Sequence, residues 1–293
     1  MKDIIVIVGP TGVGKTKLSI ELAKKLDAEI INGDSVAIYK KLDIGSAKPT
    51  KEEQKLIPHY LIDIKEVTEE YSVYDYQQDT RNLIKELTKN NKRIIIVGGT
   101  GLYIKAALYN YEFTKGTTYY EYPNLTNEDI YNKLLVYEKN IKIHINNRKR
   151  LVRTLNKYEN NEVISAKKDE LLYPIKVIGL TTDRDYLYER INKRVDNMIQ
   201  QGLLTEINDL KEYYNNSKIL NSGIGYKEFY DYLFNNTTLE ETIEKIKQNS
   251  RRYAKRQYTF FNHQFDTKWF DVDFNNFNNT IEEVYNYIEK GSN

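Results

Sequence analysis

Ile4-Ile5-Val6-Ile7-Val8-Gly9-Pro10-Thr11-Gly12-Val13-Gly14-Lys15-Thr16 is the stretch on which the reading of the fold turns. A run of β-branched residues ends at a glycine, and Leu18, Leu22 and Leu26 follow at helical spacing. Strand, glycine-rich loop and helix form the context in which G-x-x-x-x-G-K-[ST] specifies a phosphate-binding loop. Gly9 and Gly14 let the backbone curl, so that successive N–H groups point inward as an anion nest. The helix N-terminus adds partial positive charge. Lys15 supplies a full charge, and the Thr16 hydroxyl suits a magnesium ion. Gly9, Pro10, Thr11, Gly12, Val13, Gly14, Lys15 and Thr16 therefore read as the site of a diphosphate or triphosphate, with Mg2+ as its companion. Outside that context the same residues would be a tight turn carrying a surface lysine.

Outward from the loop, Ala28-Glu29-Ile30-Ile31-Asn32 reads as a second strand that ends at Gly33-Asp34-Ser35. Ligands of open α/β sheets lie beyond the carboxyl ends of the strands, which places Asp34 near the anion site. A carboxylate beside phosphate is unfavourable unless a metal or a proton transfer justifies it, although Asp34 as a turn cap is the plainer alternative. Asp75 to Leu87 has helical spacing, and Arg93-Ile94-Ile95-Ile96-Val97 reads as a buried parallel strand. It ends in Gly98-Gly99-Thr100-Gly101-Leu102-Tyr103. Nucleotide-hydrolysing P-loop proteins often carry a magnesium-holding Asp at such a strand end, so its absence counts against an ordinary ATPase. The glycines allow close approach of backbone to a ligand, and Thr100 offers a neutral donor.

The periodicity weakens from Asn110 to Leu134, which reads as a small insertion. A basic run, Arg148-Lys149-Arg150-Leu151-Val152-Arg153, follows, with Arg150 and Arg153 on one helical face. Ile175 to Leu180 returns to the sheet. Thr182 to Asp185 fits a capping box for a helix with Leu187, Ile191, Val195 and Ile199 as its stripe. Arg190 and Arg194, four residues apart on that helix, can point at one place. A second capping box, Thr238 to Glu241, opens a helix carrying Arg251, Arg252, Lys255 and Arg256, followed by Tyr258, Phe260 and Phe261. A cationic helix ending in aromatics can track a nucleic-acid backbone, and it can equally pack on the core with a solvated face.

The 293 residues suffice for one large or two smaller domains, and 40% hydrophobic with 29% charged residues supports a soluble core. A net charge of +2 decides nothing by itself. There is no cysteine, which excludes disulfides and thiolate metal sites, and the histidines His59, His144 and His263 lack ligand spacing. No N-terminal stretch has the order of a signal peptide, and the first strand is too short to span a membrane; a cytoplasmic enzyme is the expectation. The fold class expected is α/β: a P-loop NTPase-like parallel sheet with helices on both faces, a small mostly helical insertion and a helical C-terminal part. The core is expected over 1–109 and 146–293 and the insertion over 110–145.

These motifs together resemble the tRNA dimethylallyltransferases, also called tRNA isopentenyltransferases. The matching stretches are the P-loop, Asp34-Ser35, Gly45-Ser46-Ala47-Lys48-Pro49, Val97 to Tyr103, Arg150-Leu151-Val152-Arg153, Ile224-Gly225-Tyr226-Lys227-Glu228 and Arg252-Tyr253-Ala254-Lys255-Arg256-Gln257. They run in family order to about Phe261. The resemblance implies transfer of a dimethylallyl group from dimethylallyl diphosphate to the N6 amine of the adenosine 3′-adjacent to the anticodon of tRNA, with release of diphosphate. It implies that the P-loop holds the donor's diphosphate with Mg2+, that Asp34 is the general base, that Thr100 donates to the leaving oxygen, and that Arg194 and Arg190 clamp the diphosphate. Asp34, Ser35, Val36, Ala37, Thr100, Lys149, Arg150, Arg153, Arg252, Lys255 and Arg256 are the implied tRNA contacts, together with the insertion. The enzyme is expected to act as a monomer without a membrane partner. Val36 and Ala37 depart from the Met and Gln usual in the family, which puts one contact to the RNA in doubt. Two other readings compete: a P-loop kinase of a small metabolite or nucleoside, with Asp34 as hydroxyl base, and a nucleotide-gated, ATP-binding RNA module. The missing strand-end Asp weighs against both, and the late basic helix weighs against the kinase.

Overall fold

The computed structural model describes residues 2–113, 119–160 and 169–290. Parity within the first strand sets the layering. All five side chains of β1 (Ile4–Val8) are buried. Ile4, Val6 and Val8 enter one core while Ile5 and Ile7 enter another. A strand buried on both faces requires helices above and below it, the condition met by parallel sheets with helical crossovers.

The chain supplies these as α1 (Lys15–Leu26), β2 (Ala28–Asn32), α2 (Lys51–Leu56), β3 (His59–Tyr60), α3 (Val73–Lys89), β4 (Arg93–Val97) and α4 (Gly101–Leu108). The insertion carries α5 (Asn127–Tyr137) and α6 (Arg148–Glu159). Then come β5 (Ile175–Thr181), α7 (Arg184–Gln200), α8 (Leu203–Asp209), α9 (Phe229–Phe234), α10 (Leu239–Gln264), β6 (Thr267–Asp271) and α11 (Phe277–Lys290). The sheet is parallel throughout, in the order β3-β2-β4-β1-β5-β6. Leu18 and Leu22 of α1 and Ile281 and Val284 of α11 cover the face of Ile5 and Ile7. Ile84 of α3, Leu108 of α4 and Ile246 and Phe261 of α10 cover the opposite face. The expected α/β sheet with helices on both sides is the observed one. Among the described residues no helix is long and apolar enough to cross a membrane.

Two expectations need correction. The cap of α7 is not Thr182: the Asp183 carboxylate accepts from the N–H groups of Asp185 and Tyr186. A carboxylate caps as well as a hydroxyl and adds charge where the helix dipole favours it. The insertion is also longer than 110–145. The second compact unit is Asn110–Glu170, because α6 spends its apolar face there. Leu151, Val152 and Leu155 pack with Ile130 and Leu134 of α5. Arg148 is part of the same scaffold, donating to the carbonyls of Leu125 (2.8 Å) and Tyr122 (2.7 Å). Lys149, Arg150 and Arg153 are left exposed on α6.

Leu151→Ala should cost about 2–5 kcal/mol, the usual range for a buried leucine, and the loss should fall on the second unit. Hydrogen exchange should accelerate across α5 and α6 while β1 and β4 keep their protection. Faster exchange in the sheet would return α6 to the main core.

Candidate active site

Register brings three loops to one level. Val97 is the partner of Asn32 in β2 and of Ile7 in β1, so the chains leaving β2, β4 and β1 emerge side by side. Gly33 N donates to Val97 O (2.8 Å), Gly98 N to Ile7 O (3.2 Å) and Thr100 N to Gly33 O (3.0 Å). A Cβ on Gly98 would lie 2.1 Å from the Gly33 carbonyl carbon, so glycine is required for the loops to touch.

The P-loop runs from β1 into α1 with Gly9, Gly12 and Gly14 at φ 138°, 81° and 102°. Its lysine folds back on it: Lys15 Nζ donates to Gly9 O (3.0 Å) and Pro10 O (2.7 Å). Removal from water pushes the Lys15 ammonium down to about 7, the Arg194 charge pushes in the same direction, and Asp34 partly opposes both. Thr16 follows at the second position of α1.

Asp34 is both a turn residue and a candidate base. Its N–H donates to Asn32 Oδ1 (2.9 Å), and its Oδ1 accepts from Val36 N (2.9 Å), an arrangement that fixes the carboxylate. Oδ2 lies on the Gly99 side, 3.8 Å from where a Gly99 Cβ would stand. One oxygen caps the turn and the other remains for chemistry. Thr100 sits across the gap, its Oγ1 accepting from Ser35 N (3.0 Å) and donating to Ser35 Oγ (3.2 Å). Asp34, Ser35 and Thr100 are thus one hydrogen-bonded corner. Val36 is half-buried, whereas Ala37 is buried and offers no side-chain polar atom.

Helix α7 delivers the two arginines differently. Arg190 Nε donates to Gly12 O (3.1 Å), and its guanidinium lies over the Phe274 ring at 3.9 Å. Arg194 reaches Ser46 O at 3.4 Å, and among the described residues no carboxylate pairs with it. Burial lowers its pKa, and the Asp34 charge works against that. Lys15, Arg194 and Asp34 therefore share one electrostatic environment.

Helix α10 closes the site from the side. Its stripe Ser250, Ala254, Gln257 and Phe261 is buried, while Arg252, Lys255 and Arg256 are exposed on another face. Gln257 Oε1 accepts from Thr11 N of the P-loop (3.2 Å), and its Nε2 donates to Gly99 O (3.1 Å). Tyr253 Oη donates to the same carbonyl (3.1 Å). Burial first and the Asp34 charge second raise the Tyr253 phenol, keeping it a donor. Sequence reasoning gave Gln257 and Tyr253 no role. The available signal was a glutamine in the buried stripe between Ala254 and Phe261. The histidines are structural: His59 Nδ1 contacts Ile57 O, and His263 Nδ1 contacts Thr259 O.

Comparison with known proteins places the chain among transferases that act on tRNA. The family model for IPP transferase matches residues 37–264. The tRNA dimethylallyltransferase of Anoxybacillus flavithermus is 45% identical, covering 98% of this chain and 96% of its own length. That of Bacillus cytotoxicus is 46% identical over 98% and 95%. The full-length tRNA isopentenylpyrophosphate transferase of Bacillus halodurans superposes with a TM-score of 0.77 at 39% identity, covering 99% of this chain and 96% of that one. A eukaryotic dimethylallyltransferase acting on tRNA superposes with a TM-score of 0.83 at 29% identity, covering 99% of this chain and 80% of that one.

The depressed Lys15 carries a proton-linkage signature. Its folded pKa lies below the unfolded value, so the anion-free protein should gain stability as pH rises from 7 toward 10.5. A bound diphosphate restores the charge, so binding above pH 7 should take up a proton and weaken as pH rises. Calorimetry with pyrophosphate at pH 8, in buffers of different ionisation enthalpy, should show roughly one proton more for the wild type than for Lys15→Met. Equal uptake would mean that Lys15 is already charged in the free site.

Proposed function

Since this chain belongs to the IPP transferase family, the tRNA dimethylallyltransferases, we propose that it transfers a dimethylallyl group from dimethylallyl diphosphate to the N6 amine of the adenosine beside the anticodon of tRNA. One observation carries the assignment of roles. The corner of Asp34, Ser35 and Thr100 shares its electrostatic surroundings with the P-loop lysine and with a half-buried arginine that, among the described residues, has no carboxylate partner. A basic stripe lies on the outer face of the helix that locks the corner to the loop.

The P-loop N–H groups, Lys15 and Arg194 bind the donor's diphosphate, and Lys15 leaves the carbonyls of Gly9 and Pro10 to meet it. The N6 lone pair attacks the first carbon of the allyl group as the bond from that carbon to the diphosphate oxygen breaks. Nitrogen becomes cationic at that moment, and Asp34 Oδ2 receives its proton. Thr100 turns its hydroxyl from Ser35 toward the leaving oxygen. Once Lys15 and Thr100 have turned to the diphosphate, the negative charge that develops on it meets donors and amide dipoles that already face it, which stabilises the anionic leaving group. Arg190, held on Gly12 O and Phe274, supports the shape of the loop. The base must be flipped from the anticodon loop to reach Asp34, at a cost of a few kcal/mol.

A magnesium ion fits this donor set in one way only. Among the described residues no group of three His, Asp or Glu side chains could hold a metal. Mg2+ accepts one protein ligand, phosphate oxygens and water, so the Thr16 hydroxyl and the diphosphate would hold it. Bound there, it would neutralise charge on the leaving diphosphate. P-loop, base and arginine all come from one chain, so the described site needs no second copy to complete it.

The test is mass spectrometry of tRNA nucleosides after incubation with either dimethylallyl diphosphate or ATP. A dimethylallyl adduct on adenosine, formed with the prenyl donor alone, is the expected result; a phosphorylated product would return the kinase. Asp34→Asn should lower single-turnover transfer by about 10²–10⁴-fold, the range for a lost general base, with donor affinity retained. An unchanged rate would leave Asp34 only its turn. Arg256→Ala should reduce the slope of log K for tRNA against log salt by up to about one unit, as expected for one lost phosphate contact. The donor KM should stay put; a fall in donor affinity with an unchanged slope would assign Arg256 to the diphosphate.

A further inference from the structure

Glu206 lies on α8, outside every motif that signals phosphate or tRNA, yet its carboxylate is saturated by one neighbouring loop. Oε2 accepts from Asp43 N (3.0 Å) and Ile44 N (2.7 Å), and Oε1 accepts from Gly45 N (3.1 Å). Three successive amides converging on one point are an anion nest, here filled by the protein's own carboxylate. A fourth donor, Tyr226 Oη, reaches Oε1 at 2.7 Å.

Tyr226 belongs to the Ile224-Gly225-Tyr226-Lys227-Glu228 stretch, which the chemistry leaves without a role. Its packing explains it. A Cβ on Gly45 would stand 2.6 Å from the Tyr226 ring, so that ring lies flush on the loop. Gly225 has φ 92°, and its N–H donates to Glu228 Oε2 (2.9 Å), whose other oxygen accepts from Asn249 Nδ2 of α10 (2.7 Å). Burial and the Glu206 charge hold the Tyr226 phenol far above its ordinary range, so it stays a donor.

The next residue of the loop is what matters for the reaction. Ser46 O is the acceptor that Arg194 finds in the protein, at the long distance of 3.4 Å. Arg194 is half-buried, and among the described residues no carboxylate pairs with it, so this long bond to a neutral acceptor is what orients it until an anion arrives. We infer that Glu206 is a positioning residue: by filling the nest of Asp43 to Gly45, with Tyr226 locking its second oxygen, it fixes the Ser46 carbonyl and so aims Arg194 at the donor's diphosphate. The inference rests on the diphosphate-clamp reading of Arg194. It makes Glu206 a determinant of donor binding and not of tRNA binding.

A double-mutant cycle on the full-length enzyme separates this from plain structural support. Glu206→Gln keeps the shape of the side chain but turns an N–H2 group toward amides that need an acceptor. It should raise the KM for dimethylallyl diphosphate by about ten- to a hundredfold, the scale of an ångström's misplacement, with the KM for tRNA unchanged. In an Arg194→Ala background the same substitution should cost less than about threefold, because nothing remains to be aimed. Equal factors in both backgrounds, or an unchanged donor KM, would overturn the role. If Glu206→Gln does not fold, Tyr226→Phe keeps the ring and removes only the fourth donor; its smaller effect on donor KM should likewise vanish without Arg194, and additivity would overturn the role. Arg194→Ala alone sets the reference. If it leaves donor KM unchanged, the clamp itself falls and takes the Glu206 inference with it, an outcome distinct from additivity.

Discussion

Two half-buried basic side chains set beside one carboxylate, at the point where three parallel strands end, form the constraint around which the main unit is built. Burial first and the Arg194 charge second disfavour the charged form of Lys15, burial disfavours that of Arg194, and Asp34 offsets only part of either. An arrangement like this is tolerable in the free protein only if the surroundings supply neutral acceptors. They do so with backbone carbonyls: Gly9 and Pro10 for the lysine, Ser46 for the arginine. A carboxylate in either place would form a stronger pair, one that on the proposed reading would have to be broken for a diphosphate to bind. Carbonyls hold the cations in place and release them readily, so the free site stores unfavourable electrostatics that an anionic ligand relieves.

Holding carbonyls at such positions requires loops that do not drift, and this explains features otherwise remote from the chemistry. The P-loop is fixed by Arg190 on Gly12 O, with Phe274 behind the guanidinium, and by Gln257 on Thr11 N. The loop of Ser46 is fixed by Glu206 and by Lys48, whose Nζ joins Asp43, Asp63 and the Tyr39 carbonyl. Lys48 is buried with two carboxylates against it, so losing either one would leave a charge poorly matched. The Gly45-to-Pro49 stretch is thus a scaffold motif whose output is a single carbonyl.

Sequence disclosed the parts whose signal is local. The β-branched run Ile4 to Val8, the glycine loop and the leucines after it define strand, nest and helix within a single window. Asp34 and Thr100 follow from the rule that strand ends carry function, and their shared corner is where that rule put them. Three features escaped, each for a reason of distance. Glu206 acts through three hydrogen bonds to a loop far away in the chain and a fourth to Tyr226, and one glutamate on a short helix has no local mark. Gln257 spans the P-loop and Gly99 across the same kind of separation. The extent of the insertion depended on which partner the apolar face of α6 selects, and a leucine stripe does not name its partner. Leu151 and Leu155 would have fitted either core; Ile130 and Leu134 took them.

Helix α10 shows how one element can serve two ligands without their competing. A helical period of 3.6 separates faces by side-chain direction alone. Gln257 and Tyr253 turn inward to the P-loop and Gly99, while Arg252, Lys255 and Arg256 stand on the solvent face, within a turn or so of them. Arg256 lies over the ring of Tyr253, whose hydroxyl reaches the Gly99 carbonyl beside Asp34. A phosphate backbone drawn to the outer face would therefore press on a rod whose inner face already defines the spacing between base and diphosphate nest. On the proposed reading, the helix that gathers the RNA is the same rigid part that sets the geometry of transfer. No separate moving element is needed to carry one to the other.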